Sequence, residues 1–304
     1  YLVHANERAD PSQGDVCFVH YCRLDWRDNL HDTASGRPHA FRRADGVVLM
    51  RTIRIVQSGM TPRGGAEAVV PAAAAFSPDQ LASLRACFKA DSLSLSDGDP
   101  VGTWTDSSGN SKDATGSGTQ RPTYKTSQLN GKPALQFNGT SNGLATPTIT
   151  LAPFTIYSVF KASADGFIYE QSADSNNNDG LYLYTSTGCS MNYRMVDVDT
   201  RSNKNRAAAW GSDGAWRVVT HRGNSTHASH EMWINNANQS LTDCAHNFNQ
   251  TVTDIVASLY IGTRAQTGVF LTGFIAEVIL YQSYHGTDDM DSVTDYLNGR
   301  YAIY

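Results

Sequence analysis

Short apolar runs separated by turn-forming residues fill the second half of the chain, and this pattern most constrains the fold. After Gly131, Gly, Asn and Asp occupy almost every gap between the runs. The runs predict strands at 134–137, 154–161, 166–170, 180–185, 190–195, 216–222, 230–234, 258–262 and 274–281. Many short strands without intervening helices predict an all-β antiparallel sandwich.

The C-terminal residues carry a helical pattern instead. Thr287 is a suitable N-cap, and two acidic residues follow it in the first turn. Apolar residues then recur at spacings of three and four: Met290, Val293, Leu297 and Tyr301. We therefore predict one short amphipathic helix that packs on the sandwich.

Two ordered motifs carry a family resemblance. Residues 102–144 contain a tryptophan, a tight polar turn (DSSGN), an RPTY segment and then NGKPALQFNGT. Near the end come L-x-I-G-x-R at 259–264, GFIAEVILY at 273–281 and Y-L-x-x-x-Y at 296–301. Over residues 76–304 the chain resembles LamG-like jelly-roll domains of the concanavalin A-like lectin/glucanase superfamily. The resemblance implies a jelly-roll sandwich, in a superfamily where many members bind sugars or surfaces and only some are enzymes.

Residues 77–89 permit two interpretations. Residues 77–80 (SPDQ) have the sequence pattern of a capping box, with proline at the first helical position. A continued helix would place Leu81, Leu84 and Phe88 on one face, but Leu84, Ala86 and Phe88 also alternate as in a half-buried strand. The resemblance favours one helical turn followed by a strand.

Charge composition divides the chain near residue 75. Residues 1–75 hold nine Arg, no Lys and eight acidic residues, whereas the rest carries a net charge of about −6. The total of −5 argues against nucleic-acid binding, which needs a basic surface. No apolar run approaches the ~20 residues of a membrane-spanning helix. We predict an N-terminal segment, 1–75, and a jelly-roll domain, 76–304.

The N-terminal segment has too few apolar groups for a core of its own. Its strand-like stretches are 16–21 and 46–56, with an Arg-, Asp- and His-rich segment between them. We expect it to be ordered by the jelly roll, by another copy or by a larger assembly. Docking on another copy or on an assembly predicts a homo-oligomer or a protein present in many copies.

The cysteines leave pairing open. The chain has five, an odd number, so at least one is unpaired within a monomer. Cys17, His20 and Cys22 resemble half a zinc site, but no second ligand pair completes it, so free or buried thiols are the preferred interpretation. Cys189 and Cys244 are a candidate disulfide only if their strands adjoin.

No catalytic carboxylate pair is apparent. Hydrolases of this fold carry acidic residues two to four positions apart on one strand, as retaining hydrolysis requires an acid and a nucleophile. Asp197 and Asp199 are a weak match near a loop. Glu277 stands alone in an apolar strand, where the resemblance favours a hydrogen-bonded structural residue. We therefore expect a protein that is not an enzyme.

Two oxygen-rich segments are candidate calcium sites. In DSSGN, Asp106 fits either a cation or sugar site or a tight turn with Gly109 at positive φ, and we prefer the turn. DSNNNDG is the densest run of oxygen donors. Its candidate ligands are Asp174, Asn176, Asn178 and Asp179. A solvated hairpin loop is the alternative there.

A sugar site needs aromatic faces beside polar donors and acceptors. Trp104, Trp216 and Trp233 occupy strand-like positions, so we expect them in the core. Trp210, in a polar loop, is the better candidate for an exposed platform, although burial would explain it equally. Candidate partners in the same half of the chain are Tyr193, Arg194 and Arg206.

These patterns together favour a non-enzymatic recognition or decoration protein. Its jelly roll would present loops to carbohydrate or a cell surface. LamG-like domains with an unrelated N-terminal segment resemble those on phage virions and bacterial surface proteins, and this resemblance implies that residues 1–75 dock the protein on a phage capsid or tail. The alternatives are a bacterial secreted or surface adhesin and a glycan-active hydrolase with an unrecognised carboxylate pair. A signal peptide upstream of Tyr1 would favour the adhesin.

Overall fold

The computed structural model describes residues 75–172, 180–185, 190–197, 200–206, 212–224, 229–243, 256–265 and 268–304. The predicted N-terminal segment lies outside the described residues, apart from Ala75. So do Cys17, Cys22, Cys189 and Cys244, whereas Cys87 is a buried free thiol.

Seventeen strands, three short 3-10 turns and one helix make up the described residues. The strands are β1 Leu84–Lys89, β2 Thr103–Trp104, β3 Ala114–Thr115, β4 Thr123–Leu129, β5 Lys132–Asn138, β6 Leu144–Thr150, β7 Phe154–Ala162, β8 Gly166–Ser172, β9 Gly180–Thr185, β10 Ser190–Asp197, β11 Thr200–Arg206, β12 Arg217–Gly223, β13 Glu231–Ile234, β14 Ala237–Asn238, β15 Leu241–Asp243, β16 Val256–Ile261 and β17 Thr272–Tyr281. The helix α1 spans Thr287–Tyr301, and the 3-10 turns are Pro78–Gln80, Ala90–Ser92 and Gly118–Gln120.

The strands form two large antiparallel sheets and one small one. The eight-stranded sheet has the order β14-β13-β12-β7-β17-β5-β4, with β1 also paired to β17. The six-stranded sheet has the order β2-β3-β6-β16-β8-β9, and β10-β11-β15 form the third. The predicted all-β antiparallel sandwich with a short C-terminal helix is confirmed.

The main core lies between the two large sheets. Strand β7 shows why, because its alternate residues Phe154, Ile156 and Phe160 point into this core with Ile168 of β8 and Leu259 of β16. These side chains are fully buried. A period of two residues therefore assigns one face of each central strand to the sandwich interior.

A second hydrophobic cluster covers the opposite face of the eight-stranded sheet, which we call the outer face. Tyr157 and Val159 of β7 contribute from the sheet, while Met290, Val293 and Leu297 contribute from α1. The central strands are thus apolar on both faces, as expected of strands covered on both sides.

The predicted elements are largely confirmed. All nine strands predicted after Gly131 are present, and residues 77–89 form one 3-10 turn followed by β1. One correction concerns α1, whose N-cap is Gly286, so that Thr287 is the first helical residue instead of the cap. The four predicted apolar positions of α1 are buried.

Among the described residues, no helix is long and apolar enough to cross a membrane.

The three tryptophans expected in the core differ in their environments. Trp104 is fully buried between the sheets. Trp216 and Trp233 are only half buried and lie on the outer face. Lys161 Nζ lies 5.2 Å from the Trp216 ring centroid, and the Arg222 guanidinium lies 4.5 Å from that of Trp233. The expectation of a core position was correct for Trp104 alone.

Candidate functional site

The site residues predicted from sequence fall mainly in two places. Trp210 and the candidate calcium ligands lie outside the described residues, namely Asp174, Asn176, Asn178 and Asp179. Tyr193 and Arg194 lie on β10, opposite Lys204 and Asn203, and Arg206 lies on β11 opposite Ser190. The backbone therefore brings three of the candidate sugar-binding residues onto one antiparallel strand pair. The calcium and carbohydrate predictions stay predictions.

The DSSGN segment is a tight turn closed by Asp106. The Asp106 carboxylate accepts backbone N–H bonds from Cys87 at 2.9 Å, Ser108 at 2.8 Å and Lys112 at 3.0 Å. It also accepts the Ser108 hydroxyl at 2.8 Å, and Gly109 has φ of +83°. Both carboxylate oxygens are occupied by the protein, which agrees with the preferred turn interpretation.

Glu277 is held by the C-terminal helix. A register shift between Ile275 and Glu277 marks a bulge in β17, which turns the Glu277 side chain to the outer face. There the fully buried carboxylate accepts the Tyr296 hydroxyl at 3.2 Å, the Tyr301 hydroxyl at 2.8 Å and Arg300 Nε at 3.2 Å. Burial raises the pKa of the Glu277 carboxyl, although Arg300 acts to lower it. These contacts agree with the structural role expected for Glu277.

A cleft of about 290 Å³ opens where the start of the domain meets the segment between β17 and α1. One wall is Gln80–Ser83 and the other is Ser283–His285 together with Asp289. Nearly 200 residues separate the two walls in sequence. They meet because β1 pairs with the C-terminal end of β17, with Leu84 opposite Tyr281.

Hydrogen bonds fix both walls of the cleft. The Gln282 backbone N–H donates to Ser83 O at 2.9 Å, and the Tyr281 hydroxyl donates to Pro78 O at 2.8 Å. The Thr155 hydroxyl donates to Ser283 O at 2.8 Å and accepts the His285 backbone N–H at 3.0 Å. The cleft is therefore largely preformed, as small-molecule sites usually are.

His285 is the most buried polar side chain in the cleft wall, at 3% exposure. Its Nδ1 lies 2.9 Å from the Tyr157 hydroxyl oxygen, and its ring centroid lies 4.3 Å from that of Tyr281. Among the described residues, Nε2 has no hydrogen-bond partner. Burial lowers the pKa of His285 to about 4, so the ring is neutral at pH 7.

Ser283 supplies a second unused polar group. Its Oγ is buried and forms no hydrogen bond within the described part of the chain. Ser283 and His285 do not hydrogen-bond to each other, and Tyr157 occupies the ring nitrogen that an orienting carboxylate would need in a catalytic triad. The pair therefore lacks the geometry of an activated nucleophile and offers hydrogen bonds to a ligand instead.

Tyr284, which lines the cleft, belongs to an aromatic cluster around Arg222. The guanidinium carbon lies 4.3 Å from the Tyr284 ring centroid and also contacts the Trp233 ring. Arg222 Nε and Nη2 contact Glu231 Oε2 at 2.8 and 2.7 Å, and Nη1 bonds His285 O. The Tyr284 hydroxyl donates to the same Glu231 oxygen, and Tyr284 is 36% exposed. Burial and this carboxylate raise the pKa of Tyr284 to about 12.

Sequence reasoning missed this cleft. The available signal was the hexapeptide YQSYHG at 281–286, where a serine, a tyrosine and a histidine lie between Tyr281, the last residue of β17, and the helix. Its other wall could not be assigned without the pairing of β1 and β17.

Within the described residues, no group of three or more His, Cys, Asp or Glu side chains could hold a metal ion.

Comparison with solved structures shows the sandwich in other proteins. Domain 4 of AbnA, a GH43 extracellular arabinanase from Geobacillus stearothermophilus solved in complex with arabinotriose, matches with a TM-score of 0.52 and 18% identity. The match covers 70% of this chain and 97% of that domain. The receptor-binding domain of botulinum neurotoxin D and the binding domain of Paraclostridial Mosquitocidal Protein 1 each match with a TM-score of 0.50.

These likenesses concern the fold. Identities with the two toxin domains are 12% and 13%, and each match covers 73% of this chain. The chain spans about half of those two structures, 54% of each. No protein-family model and no curated protein matches the sequence.

Proposed function

We propose that this chain is a non-enzymatic recognition protein whose sandwich binds carbohydrate. One observation carries the proposal: an exposed tyrosine ring, Tyr284, stands at the rim of a preformed cleft whose wall holds unused hydrogen-bonding groups. Sugars are bound by such a combination, because an aromatic face packs on their C–H groups while polar atoms bond their hydroxyls. The arabinotriose-bound arabinanase domain of the same fold supports this proposal.

We assign the sandwich to the LamG-like branch of the concanavalin A-like superfamily. The motifs at 102–144 and 259–301 support that assignment, since they occur in the family's order. We also propose that the protein is not an enzyme. This proposal is supported by Glu277, which is engaged with α1, and by the lack of a Ser283–His285 bond.

The biological setting that we propose is the phage particle, with the extracellular or cell-surface space as the alternative. Residues 1–75 would dock the protein on a capsid or tail in many copies, leaving the sandwich free to meet a cell-surface glycan. The arginine-rich composition of this segment and its few apolar groups support docking.

Binding of the full chain to a glycan array and to whole bacterial cells tests the carbohydrate proposal. We expect saturable binding without release of reducing sugar. Tyr284→Ala should weaken binding through the cleft by about tenfold, since aromatic contacts are worth roughly 1–2 kcal/mol. Tyr304→Ala, which removes another exposed tyrosine, is the matched control and should bind as the parent does. A full chain that binds no glycan and no cell contradicts the carbohydrate proposal.

Repeating the assay with calcium and with chelator tests the loop sites. Loss of binding on chelation would assign the ligand to the run of Asp174, Asn176, Asn178 and Asp179. Binding that is unchanged by the chelator would favour the aromatic candidates, Tyr284 or Trp210. Release of reducing sugar would instead support the hydrolase alternative.

Co-expression with the structural proteins of a candidate particle tests the docking proposal. We expect the full chain to co-sediment with assembled particles and a chain lacking residues 1–75 to remain in the supernatant. Equal incorporation of both would contradict a docking role for this segment.

A further inference from the structure

Two polar atoms of residues that line the cleft lack protein partners among the described residues, and one of them, Ser283 Oγ, is buried. His285 Nε2 has no partner among the described residues, and Ser283 Oγ has none either. Buried polar groups are almost always hydrogen-bonded, so the unpaired buried hydroxyl of Ser283 in the cleft lining calls for a ligand or ordered water. Neither group supports the fold through these atoms, because Tyr157 and Thr155 already fix the segment.

The charges around the cleft disfavour an anionic ligand. Asp289 lines the wall, and Asp288 precedes it in the first turn of α1. The negative charges of both carboxylates offset the positive end of the helix dipole. Arg222 is already paired with Glu231 and bonded to His285 O, and Arg85 donates to Gln282 Oε1 beside the cleft wall. His285 is neutral at pH 7. A carboxylate or sulfate would therefore meet acidic groups, while both of these arginines are engaged with protein groups.

The dimensions of the cleft restrict the ligand further. About 290 Å³ is at the lower end of the ~300–1,000 Å³ typical of small-molecule sites. That space suits one sugar residue at a chain end better than an oligosaccharide. Arg222 covers one part of the Tyr284 ring, and the exposed remainder stands at the rim.

We propose that this cleft is a subsite for one neutral sugar residue. Ser283 Oγ and His285 Nε2 bond its hydroxyls, Asp289 accepts a further hydroxyl, and the Tyr284 ring packs against its C–H face. This inference rests on the proposed carbohydrate function and adds the site and the class of sugar. It predicts discrimination against uronic and sialic acids, which carry a carboxylate.

Saturation-transfer NMR of the full chain with single methyl glycosides tests the subsite. The probes are methyl glucoside, galactoside, mannoside and arabinoside, against methyl glucuronide and methyl sialoside. We expect signal from at least one neutral glycoside and none from the two acids.

A matched pair of serine variants locates the binding. Ser283→Ala removes an Oγ that bonds nothing in the protein, so stability should be unchanged or slightly higher. Binding should weaken about 5- to 10-fold, the value of one lost hydrogen bond. Ser158→Ala is the control, because Ser158 Oγ is also buried and unpaired but lies on β7, outside the cleft lining. It should not change binding.

The outcomes separate this inference from the proposed function. Neutral glycosides that bind equally well to Ser283→Ala, or glycan-array binding without any monosaccharide signal, would overturn the subsite and leave carbohydrate recognition standing. A preference for the acidic glycosides would overturn the charge argument. Failure of the array and of every glycoside would overturn both.

Discussion

Glu277 shows how a single residue can be assigned a role from its surroundings. In sequence it is an isolated carboxylate in an apolar strand, and the family pattern was needed to favour a structural role. The structure supplies the physical reason, since the bulge in β17 points it at the last turn of α1, where three donors converge. Neither the bulge nor the donors could be inferred from strand periodicity.

Glu277→Ala should destabilise the domain by about 3 kcal/mol. The change leaves the Tyr296 and Tyr301 hydroxyls unpaired, while Arg300 keeps Asp91 as a partner. Glu277→Gln retains the shape and one acceptor and should cost less. Urea unfolding measures both, with Asp295→Asn, an exposed change on α1, expected within about 0.5 kcal/mol of the parent. A cost for Glu277→Ala no larger than that of this control would show that the helix clamp does not stabilise the fold.

The buried histidines predict how stability responds to pH. Burial lowers the pKa of His285 to about 4 and those of His221 and His230 to about 3, against 6.5 when unfolded. Between these values the unfolded chain binds more protons, so stability is full above about pH 7 and falls as the pH drops. Each histidine contributes at most about 1.4 kcal/mol per pH unit, while Glu277, whose pKa is raised, acts in the opposite direction.

Thermal unfolding at pH 7.5, 6 and 5 checks this expectation. The midpoint should fall toward pH 5, and the fall should be smaller in His285→Gln, which removes one of the three groups. A midpoint that is unchanged or higher at pH 5 would mean that the histidines are not buried in their neutral form.

At the scale of elements, the pattern of apolar and polar residues predicted where strands lie better than it predicted which elements pair with them or cover them. Strand β7 was predicted within one residue. Its nine residues suit a strand in a sheet that is covered on both faces. The two-residue strands β2, β3 and β14 were missed, since pairing rather than pattern defines them. Trp216 and Trp233 were misplaced because α1 covers only part of the outer face, and the sequence does not say which part.

Two glycines in neighbouring elements should respond oppositely to the same substitution. A Cβ on Gly273 would lie 2.2 Å from Lys161 O and 2.9 Å from the Ala162 Cα, so β17 could not keep its pairing with β7. Gly273→Ala should destabilise by about 1–3 kcal/mol. Gly299 is helical and exposed with open space around its Cα, so Gly299→Ala should stabilise by about 0.5–1 kcal/mol. Denaturant midpoints measure both effects. If both substitutions changed stability in the same direction, the strand-contact argument would be contradicted.

At the scale of the molecule, the candidate site depends on topology more than on motif. The class of fold followed from turn spacing and from the two ordered motifs. The cleft did not, because Gln80–Ser83 and Ser283–His285 become neighbours only when β1 pairs with β17. Long-range pairings of this kind leave no local mark in a single sequence. The sugar and calcium candidates between residues 174 and 210 remain predictions.

Among the described residues, the members of both hydrophobic clusters lie within residues 76–304, and we predict that this part folds without the N-terminal segment. The interior cluster runs from Ala86 to Leu280, and the outer one closes with Tyr301 and Ile303 of the C-terminus. A fragment of residues 75–304 should therefore unfold cooperatively, within a few degrees of the main transition of the full chain. Near-UV circular dichroism follows this through Trp104, which is fully buried between the sheets. Loss of that signal, or binding of a hydrophobic dye by the fragment, would show that residues 1–74 complete the core.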